Sequence, residues 1–369
     1  MNPKVAAFIP VYQESDLLEP LLNDLLNDSY SPKEIFVAVD NPTQRCLGVV
    51  KRMGGKVRFI LNSRRMGKAA SLNEAAKRSS AEIFLFLDSD LQLNGGRGSF
   101  LKKLVDEMQD VEVLDVRKKV IRNSFAARIA HYDYLCINVV SWLFCKCLGR
   151  TIGLNGAAFA FRRKAFEELG GFRQVLSEDL DIATRAFLKN YKCNFTREID
   201  VSTKVPSDWV NLYKQRRRWG LGVALWAKGY YKELTMSMLH SPKIILPAIF
   251  LCCPSLILLS LILLPNTFYY AFLISSTFFM ATTFGILLPP LFFTLTGVTL
   301  VKNATFSIAS FGAFSVLYSF LARKMKFIFN VFEFLLFYFV FSPFWLAIIV
   351  LSMLKVLLQP GKINVDWKY

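Results

Sequence analysis

The longest uncharged stretch of the chain limits what it can fold into more than any other feature. No charged residue occurs between Ile244 and Val301. As a helix this segment would be roughly 87 Å long, whereas the hydrocarbon core of a bilayer is about 30 Å thick. A helix buried in a soluble domain does not need that length. The segment therefore predicts more than one membrane-spanning helix.

Prolines divide the apolar part into separate spans, because proline interrupts helical hydrogen bonding. Residues 303–322 are uncharged but rich in Ser, Thr and Gly, so a span and an interfacial helix are both open near residues 303–325. We expect three or four spans in residues 241–369. The predicted pieces are Ile244–Leu264, a turn at Pro265–Asn266, a helix from near Thr267 that Pro289–Pro290 breaks or kinks, and a last run from Phe327 to Leu354.

The charges are distributed unevenly between the two parts of the chain. The net charge is +17, yet only eight Lys or Arg and two Asp or Glu follow His240. Residues 1–240 are therefore expected to form a polar domain and residues 241–369 a membrane domain. The basic clusters "QRRRW" and "RKMK" (Arg323–Lys326) precede the first and last spans, which favours the cytoplasmic side for both. Because no signal peptide pattern is present, we expect a multi-pass cell-membrane protein with its first domain in the cytoplasm.

The positive charge does not require nucleic acid as a partner. Without a groove-binding motif, anionic membrane lipids and a phosphorylated substrate explain it better. The neighbouring cysteines Cys145 and Cys147, and Cys252–Cys253, lack CxxC spacing, and the chain has only two His. We therefore expect free thiols rather than a zinc site.

The first domain alternates short apolar runs with helical patterns. This alternation predicts a mostly parallel, doubly wound sheet, in which ligands bind outside the carboxyl ends of the strands. A leucine-rich helix follows the first strand, and a second strong helix lies at 67–79. The predicted strands are Val5–Val11, Glu34–Asp40, Lys56–Leu61 and Glu82–Asp90.

Three carboxylates stand at the ends of predicted strands, namely Asp40, Asp88 and Asp90. An Asp-x-Asp pattern alone is more often a turn than a site, but its position directly after "IFLFL" reverses that expectation. Two carboxylates at i and i+2 can bind one Mg²⁺ or Mn²⁺ and leave positions open for phosphate oxygens. The glycines at Gly95–Gly98 lack the Lys-Ser/Thr ending of a P-loop. A bound diphosphate would therefore need a metal ion and side chains to hold it.

Two further segments carry candidate side chains. Near the start of the last polar helix, Gln215, Arg218 and Trp219 share one face, where they could bind a phosphate and stack on a sugar or base. The alternative is a basic juxtamembrane helix, which suits Arg216 and Arg217. In "LSEDLDIATR" (Leu176–Arg185), three acids follow a possible N-cap and suit the helix dipole, or one of them is a catalytic base.

Taken in order, these pieces resemble one known family. The segments are "FIPVYQE", "VAVD", "MGKAASLNEA", "FLDSD", "GLNGAAFAFRRKAFEELGGF", "SEDLDIATR" and "QRRRW". They are similar to the processive QxxRW branch of the family 2 glycosyltransferases, which includes cellulose, chitin and hyaluronan synthases and ceramide glucosyltransferases. The resemblance covers roughly Val5 to Leu221. It implies a GT-A catalytic domain (Rossmann-like, with a mostly parallel sheet), C-terminal transmembrane helices, a nucleotide-diphosphate sugar donor, with a UDP-sugar favoured, and Mg²⁺ or Mn²⁺.

The resemblance also implies a role for each matching residue. Tyr12 would stack near the nucleobase, and Asp40 would face the base or ribose. Asp90 would be the better metal ligand of the Asp88/Asp90 pair. The residues implied to bind the nucleotide sugar are Pro10, Tyr12, Glu14, Asp40, Lys68, Asp88, Asp90 and Arg218.

On the acceptor side, the resemblance implies that Asp179 is the general base of an inverting transfer to a hydroxyl of a polysaccharide or lipid. Asp181 is expected to be structural. Glu178, Gln215, Arg218 and Trp219 would hold the diphosphate or line the acceptor site. The apolar segment Phe125–Gly149 is either a membrane-surface helix at the acceptor entrance or a core helix.

Three other functions compete with this prediction. A polyprenyl-phosphate sugar synthase also joins a GT-A domain to C-terminal helices, but those enzymes lack the QxxRW motif that "QRRRW" matches. A non-catalytic membrane scaffold would not need the acids and Arg218 together. A nucleotidyltransferase would leave the membrane helices without a purpose. We therefore expect a membrane-bound glycosyltransferase.

Overall fold

The structure is a computed structural model that describes residues 2–94, 98–244, 247, 272, 275–276, 278–284 and 289–359. The chain divides into two compact units, residues 1–251 with 347–369, and residues 252–346. The predicted spans at Ile244–Leu264 and from Thr267 lie mostly outside the described residues. Residues 95–97 of the glycine-rich stretch also lie outside them.

In the part of the chain that the structure describes, eight strands form one sheet in the order β3-β2-β1-β4-β7-β6-β8-β5. β3, β2, β1 and β4 pair in parallel, as do β6 and β8, whereas β7 and β5 pair antiparallel to their neighbours. The predicted mostly parallel sheet is confirmed. The strands are β1 Val5–Tyr12, β2 Lys33–Asp40, β3 Arg58–Asn62, β4 Ile83–Leu87, β5 Leu91–Asn94, β6 Val113–Val120, β7 Ala158–Arg162 and β8 Cys193–Thr203.

Eight helices accompany this sheet within residues 2–94 and 98–240. Ser124 caps α5 through its side chain, and Asp208 caps α8. The helices are α1 Leu18–Leu26, α2 Gln44–Met53, α3 Lys68–Ala76, α4 Phe100–Glu107, α5 Phe125–Leu148, α6 Arg163–Glu168, α7 Glu178–Leu188 and α8 Trp209–His240.

The centre of the sheet is buried on both faces, which is why its strands are almost continuously apolar. Alternate residues of β1, such as Val5 and Ile9, belong to a cluster that includes Leu21 and Leu25 of α1. Phe8 points to the other face, because side chains alternate along a strand. There it joins an aromatic cluster in which the ring centroids of neighbouring residues lie 4.9–5.5 Å apart, formed by Phe8, Phe86, Phe159, Phe166 and Phe172.

The segment Phe125–Gly149 forms a core helix rather than a membrane-surface helix. Most of α5 is buried, whereas its first residue, Phe125, is 45% exposed. Asn138 on α5 donates to the carbonyl of Lys118 on β6 at 2.7 Å and accepts from the Lys118 amide at 3.0 Å. This pair of hydrogen bonds fastens the helix to the sheet.

Two C-terminal segments, Val301–Met325 and Val331–Leu358, are helical, long and apolar enough to cross a membrane. The first is part of a helix over Pro289–Met325, so its prolines stand in the first turn, where proline is tolerated. Residues 303–325 are thus of spanning length. The second consists of a helix at Val331–Leu336, a π-helical turn at Phe337–Phe341 and a helix at Ser342–Leu358.

Candidate active site

The Asp88–Asp90 turn directly follows β4 and is held by three other segments. The amide of Asp88 donates to the carbonyl of Ala157 at 2.8 Å. Ser15 donates through its hydroxyl to the carbonyl of Ser89 at 2.7 Å, and the amide of Lys204 donates to the carbonyl of Asp90 at 3.3 Å. The Asp88–Asp90 turn is therefore hydrogen-bonded to segments that follow β1 and β8 and to the residue that precedes β7.

Lys68 brings several predicted site residues together. Its Nζ lies 2.8 Å from Oδ1 of Asp88 and 3.2 Å from Oε1 of Glu178. It also donates to the carbonyl oxygen of Gly156 at 3.2 Å. One ammonium group thus connects the Asp-x-Asp turn after β4 with the first residue of α7. Lys68, Asp88, Glu178 and Asp179 lie in one cluster, although they are distant in sequence.

Asp40 builds the loop that presents Lys68. Its Oδ2 accepts hydrogen bonds from the amides of Met66 and Gly67 at 2.9 and 2.8 Å. Its Oδ1 accepts from Ser71 at 2.9 Å and Asn62 at 2.8 Å. Gly67 has a φ of +91°, a conformation that L side chains rarely adopt. Asp40 is therefore a buried support for the start of α3, and its contact with a base or ribose stays a prediction.

Asp179 lies in the first turn of α7 with both carboxylate oxygens hydrogen-bonded. Oδ2 accepts from the amide of Gly156 at 2.7 Å, and Oδ1 accepts from the amide of Leu180 at 2.8 Å. Burial and the charge of Glu178 raise the pKa of Asp179 to about 6, while Lys68 opposes the rise. Such a carboxylate is a stronger base than an ordinary aspartate and is still largely ionised at neutral pH.

Gly156 makes this arrangement possible. A Cβ atom at residue 156 would lie 2.8 Å from Oδ2 of Asp179 and 3.3 Å from Nζ of Lys68. A side chain there would displace the carboxylate or the ammonium group. The motif "GLNGAAF" contains this glycine, but its role becomes visible only when α7 is placed beside it.

Asp90 lies next to an open cavity. Burial and the charge of Asp88 raise the pKa of Asp90 to about 7. Two adjacent carboxylates repel each other when both are ionised, and a divalent cation bound to both would offset that repulsion. Among the described residues no cluster of three or more His, Cys, Asp or Glu could hold a metal ion, so other ligands would come from a diphosphate and water. A cavity of about 230 Å³ is lined by Glu14, Ser15, Asp16, Leu17, Asp90 and Lys204.

Of the predicted nucleotide-binding residues at and just after the end of β1, Glu14 lines this cavity. Tyr12 is 45% exposed, and the guanidinium of Arg65 stacks over its ring at 4.0 Å from the centroid. Glu14 accepts a hydrogen bond from Thr43 at 2.5 Å. Pro10 is half-buried within the strand. Arg65 is a neighbour of the predicted base-stacking residue that no sequence motif indicated.

The motif helix α8 places its side chains in different environments. Gln215 and Trp219 are half-buried, and Arg218 is exposed. The ring of Trp219 lies 6.4 Å from that of Tyr134 on α5. Burial raises the pKa of the Tyr134 hydroxyl, the charge of Arg216 opposes the rise, and the charge of Asp90 adds to it.

Arg216 contradicts the interpretation of a solvated juxtamembrane cation. It is 1% exposed, and its Nη1 lies 2.5 Å from Oδ2 of Asp133 on α5. Arg217, the next residue, is exposed. A run of three arginines shows no periodicity of its own, which is why the sequence could not separate the buried member from its neighbours.

Asp181 is hydrogen-bonded both within α7 and to α8. Its Oδ2 accepts from Arg185 at 2.8 Å, and its Oδ1 accepts from the hydroxyl of Tyr230 at 2.7 Å. Trp226 donates to Thr184 at 2.8 Å. These contacts join α7 to α8, in keeping with a structural role for Asp181.

Comparison with known proteins shows what the first part of the chain is similar to. Residues 6–170 match the model of glycosyl transferase family 2. This part of the chain is therefore similar to family 2 glycosyltransferase domains.

Several characterised and inferred glycosyltransferases are similar to the chain. The probable glycosyltransferase YdaM of Bacillus subtilis is 26% identical over 60% of this chain and 55% of its own length. Glucomannan 4-beta-mannosyltransferase 2 of Arabidopsis thaliana is 22% identical over 66% of this chain and 48% of its own. Poly-beta-1,6-N-acetyl-D-glucosamine synthase of Staphylococcus epidermidis is 22% identical, over 59% and 54%. The chain spans about half the length of these relatives.

One solved structure extends the similarity to most of the chain. It is the mannosyltransferase PcManGT from Pyrobaculum calidifontis in complex with GDP-Man and Mn²⁺. Its TM-score is 0.54 at 20% identity, over 88% of this chain and 86% of that one. At this identity the similarity concerns the fold, which is GT-A-like with apolar helices at the C-terminus.

Proposed function

We propose that this protein transfers a sugar from a nucleotide-diphosphate sugar to a hydroxyl group of a polysaccharide or lipid acceptor, with inversion at the anomeric carbon. One observation carries the proposal. Lys68 connects Asp88 of the Asp-x-Asp turn to Glu178, directly beside Asp179. The predicted metal-binding pair and a carboxylate of raised pKa therefore lie near each other at the carboxyl edge of the sheet, where such folds bind ligands.

The donor would occupy the side of the cluster that faces Asp90. Asp88 and Asp90 would hold Mg²⁺ or Mn²⁺, and the cation when bound would neutralise charge on the departing diphosphate. Tyr12, Glu14 and Pro10 would line the nucleoside side, with Asp40 supporting the Lys68 loop. PcManGT binds GDP-Man with Mn²⁺, so GDP-sugars are tested beside UDP-sugars for this chain.

The acceptor would approach Asp179. Its carboxylate would take the proton of the acceptor hydroxyl as that oxygen forms a bond to the anomeric carbon. The bond from the anomeric carbon to the phosphate oxygen breaks in the same step, and the nucleoside diphosphate leaves with the electron pair. Glu178, Gln215, Arg218 and Trp219 would hold the diphosphate or the acceptor. The buried Oε1 of Gln215 lacks a hydrogen-bond partner among the described residues, which suits a ligand donor.

We also propose that residues 241–369 form a membrane domain of three or four spans, with residues 1–240 in the cytoplasm. Two segments of spanning length support this domain. The similarity to polysaccharide synthases supports an acceptor that is extended at the membrane. The basic clusters before the first and last spans support the orientation.

The test uses the full chain purified in detergent with a panel of UDP- and GDP-sugars, each with Mn²⁺, with Mg²⁺ or with EDTA. Products are sized by mass spectrometry, and polyprenyl phosphate is included among the acceptors. Transfer is expected only with a divalent cation. Asp179→Asn is expected to lower kcat by about 100-fold or more, because general-base assistance contributes 10²–10⁴-fold. The exposed Asp110→Asn serves as the control. Full transfer by Asp179→Asn would remove the base assignment.

A further inference from the structure

A buried ion pair joins the motif helix to the core of the catalytic domain. Arg216 on α8 and Asp133 on α5 are 1% and 7% exposed, and Nη1 lies 2.5 Å from Oδ2. Burial raises the pKa of Asp133, and Arg216 opposes the rise. Because an unpaired charge in this position would be strongly unfavourable, the two side chains restrict α8 to one placement against α5.

The same arginine contacts the candidate acceptor residue. The Arg216 guanidinium carbon lies 4.3 Å from the centroid of the Trp219 ring, within the range of a cation–π contact. Tyr134, the neighbour of Asp133 in sequence, approaches the Trp219 ring at 6.4 Å. Both residues that contact Trp219 are therefore directly connected to Asp133: Arg216 as its ion-pair partner and Tyr134 as its neighbour in sequence. The indole is held by its neighbours rather than by its own helix alone.

We infer that Arg216 and Asp133 are positioning residues, which orient Trp219 for the acceptor. Arg216 acts through its stacking contact with the indole, and Asp133 acts through Arg216. Neither is expected to touch the donor. This inference rests on the proposed function only in its second part, the effect on the acceptor, whereas the orientation of Trp219 can be measured without any substrate.

The chain offers two matched controls. Arg217 is the adjacent arginine in the same motif, but it is exposed, so Arg217→Met removes an equal charge without touching the ion pair. Arg117 on β6 forms a comparable buried pair with Asp200 on β8, with Nη2 2.6 Å from Oδ2. Arg117→Met therefore removes a buried arginine from a different ion pair, in which Asp200 keeps Lys119 at 3.0 Å.

The first experiment measures the orientation of Trp219 in the full chain in detergent. The difference between the wild-type emission spectrum and that of Trp219→Phe isolates the Trp219 signal. In an Arg216→Met background, we expect this difference signal to shift to longer wavelength and to be quenched more strongly by acrylamide. Arg217→Met and Arg117→Met should leave it unchanged. An unchanged Trp219 signal in Arg216→Met would overturn the inference, whatever the substrate proves to be.

The second experiment separates acceptor from donor, with GDP-mannose, UDP-N-acetylglucosamine and β-1,4-mannotetraose as probes. Arg216→Met and Asp133→Asn should raise the acceptor KM by roughly tenfold, the scale of a desolvated cation–π contact, and leave GDP and UDP binding unchanged. Arg216→Lys keeps the charge and should recover part of the loss. Arg117→Met should lower the melting temperature without raising the acceptor KM.

The outcomes distinguish the inference from the function on which it rests. If Trp219→Ala leaves the acceptor KM unchanged, the acceptor role of Trp219 in the proposed function is wrong. If Trp219→Ala raises it and folded Arg216→Met does not, the positioning role is wrong. Where Arg216→Met does not fold, Arg216→Lys and Asp133→Asn provide the same two measurements. A weakened GDP or UDP affinity in these variants would also contradict the inference, because it would place the pair in the donor site.

Discussion

At the scale of single residues, the site depends on the glycine at position 156, which has no side chain, as much as on the carboxylates. The amide of Gly156 donates to Asp179, and no room exists there for a Cβ atom. We expect Gly156→Ala to lower kcat by about 100-fold, because a displacement near 1 Å at a reacting group has that effect. Gly55→Ala is the control, since a Cβ at residue 55 meets nothing within 4 Å. Steady-state kinetics of both variants, with melting temperatures, would contradict the assignment if Gly156→Ala were fully active.

The raised pKa of Asp179 predicts how activity depends on pH. The base must be ionised, so kcat/KM should fall as the pH drops through about 6 and the carboxylate becomes protonated. Removing the cation in Lys68→Met should move this acid limb to higher pH, because Lys68 lowers the pKa of Asp179. Lys164→Met, at an exposed lysine on α6, should leave the limb in place. A profile without an acid limb near pH 6 would contradict the role of Asp179.

These residues show which parts of the site were predictable. Asp88 and Asp90 follow a buried strand, so a local sequence signal indicated them, whereas only the resemblance to a known family singled out Asp179 among the three acids in the first turn of α7. Gly156 and Arg216 act through contacts with distant segments, and no local pattern separates them from other glycines or arginines. A sequence motif does not specify the distances between helices and strands in the folded protein.

At the scale of elements, α8 contacts both α7 and the last apolar helix. Its contacts with α7 run through Trp226 and Tyr230. On another side, a Cβ at Gly220 would lie 2.9 Å from Cγ2 of Ile348 and 3.1 Å from the hydroxyl of Ser352. Glycine at 220 therefore permits the close approach of α8 to Ser342–Leu358.

We expect Gly220→Val to destabilise the protein by about 1–3 kcal/mol, the usual effect of overpacking a close contact. Gly229→Val on the same helix is the matched control, since a Cβ there meets nothing within 4 Å. The difference in unfolding free energy between the two variants isolates the packing contact from helix propensity. Equal destabilisation would show that the approach of the two helices contributes nothing to stability.

Elements differed in how well their sequences predicted them. The four β-branched or aromatic runs became β1 to β4, because buried parallel strands need continuous apolar residues. The four residues of β5 carry too short a pattern to be recognised. α5 is mostly apolar and aromatic, so its sequence fitted a core helix and a surface helix equally. The burial of most of α5 and the hydrogen bonds of Asn138 to β6 distinguish these two placements.

At the scale of the whole molecule, charge alone divides the sequence into a polar and an apolar part, and a membrane domain in the apolar part stays a prediction, because burying unpaired charge in a bilayer is costly. The number of spans also stays a prediction, since Ser, Thr and Gly leave hydropathy ambiguous over residues 303–325. The order of the strands in the sheet could not be predicted from the sequence either. It is set by β7, β6 and β8, whose pairing brings Gly156 beside Asp179 although the two are 23 positions apart.

Because nucleotide and metal would bind the folded chain alone, binding should stabilise the whole molecule. At a hundredfold excess over Kd the gain is about 2.7 kcal/mol, which a thermal unfolding assay in detergent detects. GDP or UDP with Mn²⁺ should therefore raise Tm, whereas either nucleotide with EDTA should raise it less. Asp90→Ala should lose the Mn²⁺-dependent part, and Asp110→Ala should keep it. If Asp90→Ala retained the full Mn²⁺-dependent increase, the cation would bind elsewhere, and Asp88 and Asp90 would be structural acids at the end of β4.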